Sequence, residues 1–159
     1  MKKILVLSDS HGKLNPMFLA VEAASPDLMI HLGDCWEDAG RLKAKFPQIP
    51  MERVPGNCDY SNEQAVRIIE VEGKQLLICH GHTFNVKMGY LNLELKSEEL
   101  GVDAALFGHT HRAYYEYHNG ILFFNPGSIG SPPFETPASY GILEIDGSTD
   151  TLRYDVRFL

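Results

Sequence analysis

The sequence predicts an α/β fold in which one mixed sheet packs against another and helices cover the outside. Three observations support this prediction. Apolar runs alternate with helical patterns through residues 3–54, and paired runs around tight-turn residues follow from residue 65 onward. A length of 159 residues with 44% hydrophobic and 22% charged side chains is typical of one globular domain. We therefore expect a single domain over residues 1–159.

In the first half, near-continuous apolar runs predict three strands that are buried on both faces. Asn15 before Pro16 predicts a helix start, with Asn15 as the N-cap and Pro16 at the first helical position. Strands joined through helices run parallel, so their carboxyl ends are expected at one edge of the sheet. The predicted strands cover residues 3–8, 28–32 and 51–54, and the predicted helices cover residues 15–24 and 39–46.

In the second half, tight-turn residues between apolar runs predict hairpins. Asn119-Gly120 is a strong two-residue turn signal, and Glu72-Gly73 stands between two other such runs. Leucines spaced among Glu and Lys predict a helix that Gly101 ends. The predicted strands cover residues 65–71, 75–79, 104–107, 113–117, 121–124, 140–145 and 151–158, and the helix covers residues 90–100.

The charge and composition exclude several classes of partner. A net charge of -7 and a pI near 5.4 give no general attraction to nucleic-acid backbones or anionic lipids. The longest apolar runs are far short of the roughly 20 residues that span a bilayer, and no signal peptide is recognisable. Cys35, Cys58 and Cys79 are odd in number and form no CxxC motif, so we expect reduced thiols. These features predict a cytoplasmic protein with neither a membrane nor a long nucleic acid as partner.

Side chains of the types that bind metal ions follow five of the predicted strands. The steps between successive strand ends are close to the roughly 30 residues of one βαβ unit, so each unit would bring its polar side chain to the same edge of the sheet. The candidate ligands, which we also take as the catalytic residues, are Asp9, His11, Asp34, Asn57, His80, His109 and His111.

Seven oxygen and nitrogen donors exceed what one four-coordinate ion can use. They suit two divalent ions that share a carboxylate, which we assign to Asp34. Imidazole, carboxylate and amide donors without a thiolate favour Mn²⁺, with Ni²⁺, Co²⁺, Fe²⁺ and Zn²⁺ as alternatives. Two divalent ions and the carboxylates of Asp9 and Asp34 leave a charge of about +2, which a hydroxide and one anionic phosphate would neutralise. The predicted reaction is therefore phosphoester hydrolysis by a metal-activated hydroxide.

Five motifs in order resemble the signature of the calcineurin-like metallophosphoesterases. They are Asp9-x-His11, Gly33-Asp34, Gly56-Asn57-x-Asp59, His80-Gly-His82 and Gly108-His109-x-His111. Together with Asn125-Pro126-Gly127-Ser128 and the chain length, they make the chain similar to the small YfcE-type phosphodiesterases of that family.

This resemblance implies a four-layer αββα sandwich with two mixed sheets and a dinuclear phosphodiesterase. It also implies a division of the ligands between the two ions. One ion would be held by Asp9, His11, Asp34 and His111, and the other by Asp34, Asn57, His80 and His109.

Cys58 departs from the pattern of the larger family members, which have a histidine there that is taken as the proton donor to the leaving oxygen. A thiol with a reference pKa near 8.5 is a weak general acid at neutral pH. We therefore expect good activity on small phosphodiesters with activated leaving groups and weak activity on monoesters.

Four other polar features have both a structural and a functional interpretation. His31 lies inside an apolar strand and is expected to be a hydrogen-bonded core residue rather than a ligand. His82 is either a neighbour of the metal ligands or unrelated to them. Asp59 is expected to orient a ligand, with capping of its loop as the alternative. Glu37 and Asp38 are expected to face solvent.

Two other functions compete with a small-molecule phosphodiesterase. A eukaryotic retromer subunit is similar in fold and serves as a protein-interaction scaffold with weakened metal sites, but all seven ligand positions are filled here. A nuclease for long DNA or RNA is disfavoured because the acidic chain would repel the backbone. The aromatic hairpin over residues 113–124 is a candidate contact in a homo-oligomer.

Overall fold

Ten strands and three α-helices make up the computed structural model, which describes residues 1–159. The longest helix has 11 residues, and no helix is long and apolar enough to cross a bilayer. The elements are β1 (Lys2–Leu7), α1 (Leu14–Ala24), β2 (Leu28–His31), α2 (Trp36–Lys45), β3 (Met51–Arg53), β4 (Val66–Val71), β5 (Lys74–Cys79), α3 (Leu91–Leu100), β6 (Ala104–Leu106), β7 (Ala113–His118), β8 (Ile121–Pro126), β9 (Ser139–Asp146) and β10 (Thr151–Phe158), with single 3₁₀ turns at His82–Phe84 and Val86–Met88.

The first sheet has the strand order β10-β9-β1-β2-β3. Strands β1, β2 and β3 are parallel, as the helices between them require, and Leu7 pairs with His31 at the carboxyl end. Strand β9 pairs antiparallel with β1, and β10 pairs antiparallel with β9. This sheet is therefore mixed, and the loops after β1, β2 and β3 leave it at one edge.

The second sheet has the strand order β4-β5-β6-β8-β7 and is also mixed. Strands β5, β6 and β8 are parallel, while β4 and β7 are joined to it as antiparallel hairpins. Both predicted hairpins are confirmed. Their turns place Glu72 and Asn119 at φ 51° and 50°, followed by Gly73 and Gly120 at φ 80° and 79°, the left-handed pair that a tight hairpin needs.

Three apolar clusters divide the molecule into four layers. The central cluster lies between the two sheets and joins residues such as Val6 and Ile30 to Leu106 and Phe124. A second cluster packs α1 and α2 on the outer face of the first sheet, and a third packs α3 on the outer face of the second sheet. The predicted αββα sandwich is therefore confirmed.

Two helices begin earlier than predicted. Helix α1 begins at Leu14 with Lys13 at the N-cap position, so Pro16 is its third residue. Proline is tolerated there because the first N–H groups of a helix have no partner within the helix. Helix α2 begins at Trp36 rather than residue 39, and the Trp36 N–H donates to Oδ1 of Asp59 at 2.8 Å. A side chain from another loop thus supports a helical turn that the local sequence does not signal.

Candidate metal centre

The loops that follow β1, β2, β5 and β6 meet where the two sheets face each other. Backbone hydrogen bonds join them in pairs. The Asp9 N–H donates to the Gly33 carbonyl at 3.0 Å, and the Gly108 N–H donates to the His80 carbonyl at 2.8 Å. The His109 N–H donates across the sheets to Oδ2 of Asp9 at 3.0 Å. Residues that are 100 positions apart in sequence are thus held in one cluster.

Many of the predicted ligands have a left-handed backbone conformation. The φ angles lie between 45° and 69°, a region that costs a non-glycine residue roughly 1–2 kcal/mol. Such residues persist only where their surroundings hold them, and they concentrate at functional sites. The residues with this conformation are Asp9, His11, Asp34, His109 and His111.

Asp9 lies at the centre of the cluster. Its Oδ1 is 3.2 Å from Nε2 of His111, 3.7 Å from Nε2 of His80 and 3.8 Å from Nε2 of His11. Its Oδ2 accepts hydrogen bonds from the Ser8 hydroxyl at 2.6 Å and from the His109 N–H. Oδ1 is fully buried and has no hydrogen-bond partner. A buried carboxylate oxygen without a donor is costly, and a cation among the surrounding nitrogens would satisfy it, so the donor set fits a metal ion.

Asp34 connects the histidines of the two predicted sets. Its Oδ2 lies 3.4 Å from Nε2 of His80 and 3.8 Å from Nε2 of His11, and its Oδ1 accepts the Cys58 N–H at 3.0 Å. Ligand atoms of two groups lie within 4.8 Å of one another, with Asp9 common to both. The groups are Asp9, His11 and His111, and Asp9, Asp34 and His80.

Both carboxylates are ionised at neutral pH. Burial by itself raises the pKa of Asp9, but His11 and His111 beside the carboxylate and the charge of His80 outweigh it and hold that pKa well below its usual range. Burial also raises the pKa of Asp34, while His80 and the Cys58 N–H lower it to a net value of about 2. The cluster therefore presents two negative charges to a cation.

Backbone carbonyls set the orientation of two imidazoles. Nδ1 of His80 lies 2.8 Å from the Leu32 carbonyl, and Nδ1 of His111 lies 2.6 Å from the Ser131 carbonyl. Burial lowers the pKa of His80, but the nearby carboxylates outweigh it and raise that pKa, and the Asp9 carboxylate likewise raises the pKa of His111. With a metal ion bound, each ring would be neutral, with Nδ1–H donating to the carbonyl oxygen and the lone pair of Nε2 offered to the ion. Nδ1 of His109 lies 3.2 Å from Nε2 of His80, and burial together with the charge of His80 lowers the pKa of His109 to about 4. Its ring is therefore neutral near pH 7 and has a lone pair to offer.

Asn57 is the one predicted ligand whose side chain makes its contact outside the cluster. It is exposed, and its Nδ2 donates to Sγ of Cys58 at 3.7 Å. The structure thus brings six of the seven predicted ligands together, with Asn57 at the rim.

Two residues for which the sequence predicted no role at the site hold the ligand loops in place. The Ser128 hydroxyl donates to the Asp9 carbonyl at 2.8 Å and accepts the Ser131 N–H at 2.7 Å. Nδ2 of Asn125 donates to the Gly108 carbonyl at 3.1 Å. Both belong to the Asn-Pro-Gly-Ser segment, whose sequence indicated a family resemblance but no role at the site.

Of the predictions made for the other polar residues, the structure confirms some and contradicts one. His31 is confirmed as a buried, hydrogen-bonded residue. The solvent-facing prediction is wrong for Asp38, which is 2% exposed, and holds for Glu37. Oδ2 of Asp59 accepts the N–H groups of Asp34 and Gly56. Asp59 therefore contacts the predicted ligand Asp34 at its backbone N–H and not at its carboxylate. The ring of His82 lies 5.5 Å from that of His80, beside the cluster.

A family model described as the calcineurin-like phosphoesterase superfamily domain matches residues 1–148. The chain belongs to the calcineurin-like phosphoesterase superfamily. It is thus a phosphoesterase by family, and five of the strand-end residues that carried the sequence resemblance form the two groups that could hold a metal ion.

Named relatives of this calcineurin-like phosphoesterase extend over nearly its whole length. It is 36% identical over 155 residues to the probable metallophosphoesterase YsnB of Bacillus subtilis, covering 95% of this chain and 89% of that protein. It is 29% identical over 171 residues to the phosphodiesterase YfcE of Escherichia coli, covering 92% and 89%.

A solved structure with the same fold is Vps29 of Entamoeba histolytica, complexed with Zn²⁺. It superposes with a TM-score of 0.77 and covers 98% of each chain at 19% identity. At that identity the likeness shows the fold alone.

Proposed function

We propose that this protein is a dinuclear metal-dependent phosphodiesterase that hydrolyses small phosphodiesters. The observation that carries the proposal is the buried, unpartnered Oδ1 of Asp9, which three imidazole nitrogens surround within 3.8 Å. The similarity to the phosphodiesterase YfcE of Escherichia coli supports diesters as the substrate class.

Asp9, His11, Asp34 and His111 would hold one ion, and Asp34, Asn57, His80 and His109 would hold the other. Mn²⁺ is the favoured ion because the donors are imidazole, carboxylate and amide groups. Two such ions would supply Lewis-acid charge at the phosphate and a water activated as the nucleophile.

The residues of the chain supply orientation and charge balance. The Leu32 and Ser131 carbonyls hold the rings of His80 and His111, so that Nε2 of each faces the carboxylates. The carboxylates of Asp9 and Asp34 offset half of the charge of two divalent ions, which leaves the site attractive to an anionic phosphate. The chain as a whole carries -7, which favours a small substrate over a long nucleic-acid backbone.

The three free cysteines suit a reducing compartment, and a cytoplasmic location is part of the proposal.

The test is an assay of metal-free protein before and after addition of Mn²⁺. A diester and a monoester with the same leaving group, such as bis(4-nitrophenyl) phosphate and 4-nitrophenyl phosphate, separate substrate class from leaving-group reactivity. We expect Mn²⁺ to restore diester hydrolysis. We also expect Asp34→Asn to lower kcat/KM for the diester by at least about 100-fold, because it removes the charge shared by both ions.

Wild-type levels of diester hydrolysis by Asp34→Asn would count against a bridging role for this residue. The alternative function is a non-catalytic protein-interaction scaffold of the same fold. Failure of the wild-type protein to bind Mn²⁺ and to hydrolyse either ester would favour that alternative.

A further inference from the structure

Three buried polar side chains lie directly behind the candidate metal centre without belonging to it. Ser10, His31 and Asp38 are 0%, 1% and 2% exposed. Oγ of Ser10 donates to Oδ2 of Asp38 at 2.8 Å and lies 3.0 Å from Nε2 of His31. The proposed reaction uses none of the three.

The hydrogen bonds of this network have a defined direction. The Gly33 N–H donates to Nδ1 of His31 at 3.2 Å, so the proton of the neutral ring lies on Nε2 and points to the Ser10 oxygen. Ser10 in turn donates to Asp38, whose Oδ2 also accepts the Gly12 N–H at 2.7 Å. Burial lowers the pKa of His31 to about 4, so this neutral arrangement is present at pH 7.

The network joins the loop that carries Asp9 and His11 to the loop that carries Asp34. Ser10 stands between Asp9 and His11, and Gly33 directly precedes Asp34. Asp38 lies in the first turn of α2, which begins two residues after Asp34. One connected set of bonds therefore links the loop after β1, the loop after β2 and a helix.

The backbone of both loops needs such support. Asp9, His11 and Asp34 all have φ between 45° and 55°, which non-glycine residues leave unless contacts hold them. Directional hydrogen bonds to Ser10, Gly12 and Gly33 restrain the residues beside them. The distance that depends on this restraint is the 3.8 Å between Nε2 of His11 and Oδ2 of Asp34.

We propose that Ser10, His31 and Asp38 are positioning residues that set the spacing of His11 and Asp34 and thereby the affinity for the ion these residues share. The proposal rests on the metal centre of the proposed function. Residues that orient metal ligands typically change metal affinity by about 10–100-fold when they are replaced.

The experiment is a calorimetric titration of the metal-free protein with Mn²⁺. Asp38→Ala removes the acceptor of Ser10 and Gly12. Asp38→Asn keeps an acceptor oxygen for both donors while removing the charge. We expect Asp38→Ala to weaken Mn²⁺ binding by about 10–100-fold and Asp38→Asn to stay within about threefold of the wild type.

Asp103→Ala is the matched control. Asp103 also accepts a backbone N–H, that of Gln75 at 2.8 Å, but it precedes β6 and so lies at the opposite end of the strands from the metal centre. The melting temperature of each metal-free variant is measured alongside. We expect Asp103→Ala to lower the melting temperature without changing Mn²⁺ affinity.

The outcomes separate the two proposals. Equal Mn²⁺ affinity in Asp38→Ala and the wild type overturns the positioning role. Equal losses in Asp38→Ala and Asp38→Asn also overturn it, because charge rather than geometry would then account for the effect. A wild-type protein that binds no Mn²⁺ overturns the proposed metal centre itself.

Discussion

Cys58 lies on the exposed rim of the metal centre, next to Asn57. Its N–H donates to Oδ1 of Asp34, which places its side chain beside a shared ligand. Burial and the neighbouring Asp34 carboxylate raise the pKa of the Cys58 thiol. The thiol therefore keeps its proton at neutral pH but transfers it poorly to a leaving oxygen.

Cys58→His is expected to raise monoester hydrolysis relative to diester hydrolysis by at least about tenfold, because an imidazole titrates near neutral pH and can act as a general acid. The measurement is the ratio of kcat/KM for the two 4-nitrophenyl esters with Mn²⁺ present. Cys58→Ser is the control, since a hydroxyl of similar size cannot supply this acid. An unchanged ratio in Cys58→His would contradict the assigned reason for weak monoesterase activity.

Among the elements, the loop after strand β6 contacts the loop after strand β1 across the two sheets. Gly108 lies directly behind Asp9, and a Cβ at this position would overlap Oγ of Ser8 and lie 2.8 Å from Oδ2 of Asp9. The glycine is thus required for contact between the loops after β1 and β6. That contact brings His109 and His111 to the carboxylates of the first sheet.

Gly108→Ala is expected to weaken Mn²⁺ binding by at least about tenfold, because the added methyl group separates the loops that supply Asp9 and His109. The measurement is Mn²⁺ titration of the metal-free variant. Gly40→Ala is a suitable control, because it lies within α2, and the added methyl would meet only the flexible end of Arg53 at 3.4 Å. We expect this control to retain Mn²⁺ affinity; a similar loss in both variants would argue against a local effect at Gly108.

At the scale of the whole molecule, the metal centre joins the two halves of the sandwich. Asp9 and Asp34 follow strands of the first sheet, while His80, His109 and His111 follow strands of the second. Any ion held by both groups would link the sheets in addition to the apolar cluster between them. Metal binding and the stability of the sheet packing should therefore be coupled.

Mn²⁺ at 100 times its dissociation constant is expected to stabilise the fold by about 2.7 kcal/mol. For a chain of this size, that corresponds to a rise in Tm of roughly 5–10 °C. This rise in Tm is measured by differential scanning calorimetry of protein that is first freed of metal and then scanned with and without added Mn²⁺. Asp34→Asn should show less than half of the wild-type shift, and an equal shift in both proteins would show that the ion binds elsewhere.

The aromatic hairpin over residues 113–124 contacts strand β10 of the other sheet. Tyr115 and Tyr117 of β7 are 53% and 51% exposed, and their rings lie 5.5 Å and 6.1 Å from that of Tyr154 in β10. The edge strands of the two sheets thus share an aromatic surface. A homo-oligomer built on this surface remains a prediction.

Much of the fold was predictable because it depends on local patterns. Buried strands, two tight hairpin turns and the helix-connected parallel strands all follow from periodicity and turn residues. The helix starts were less predictable, because Trp36 depends on Asp59 from another loop. The sequence alone does not show whether an acidic residue in the first turn of a helix faces solvent or a neighbouring loop. The exposure of Asp38 was predicted wrongly for that reason.

The sequence by itself determined which residue types stand at the ends of five strands, and hence the candidate ligand set and the phosphoesterase family. Only the tertiary structure decided how those ligands are held: the left-handed backbone at Asp9 and Asp34, the carbonyls that orient His80, and the network through Asp38. The physical reason is the distance along the chain over which each interaction acts. Strand and turn patterns act over a few residues, whereas each of these restraints depends on a partner that the folded chain brings from a different element.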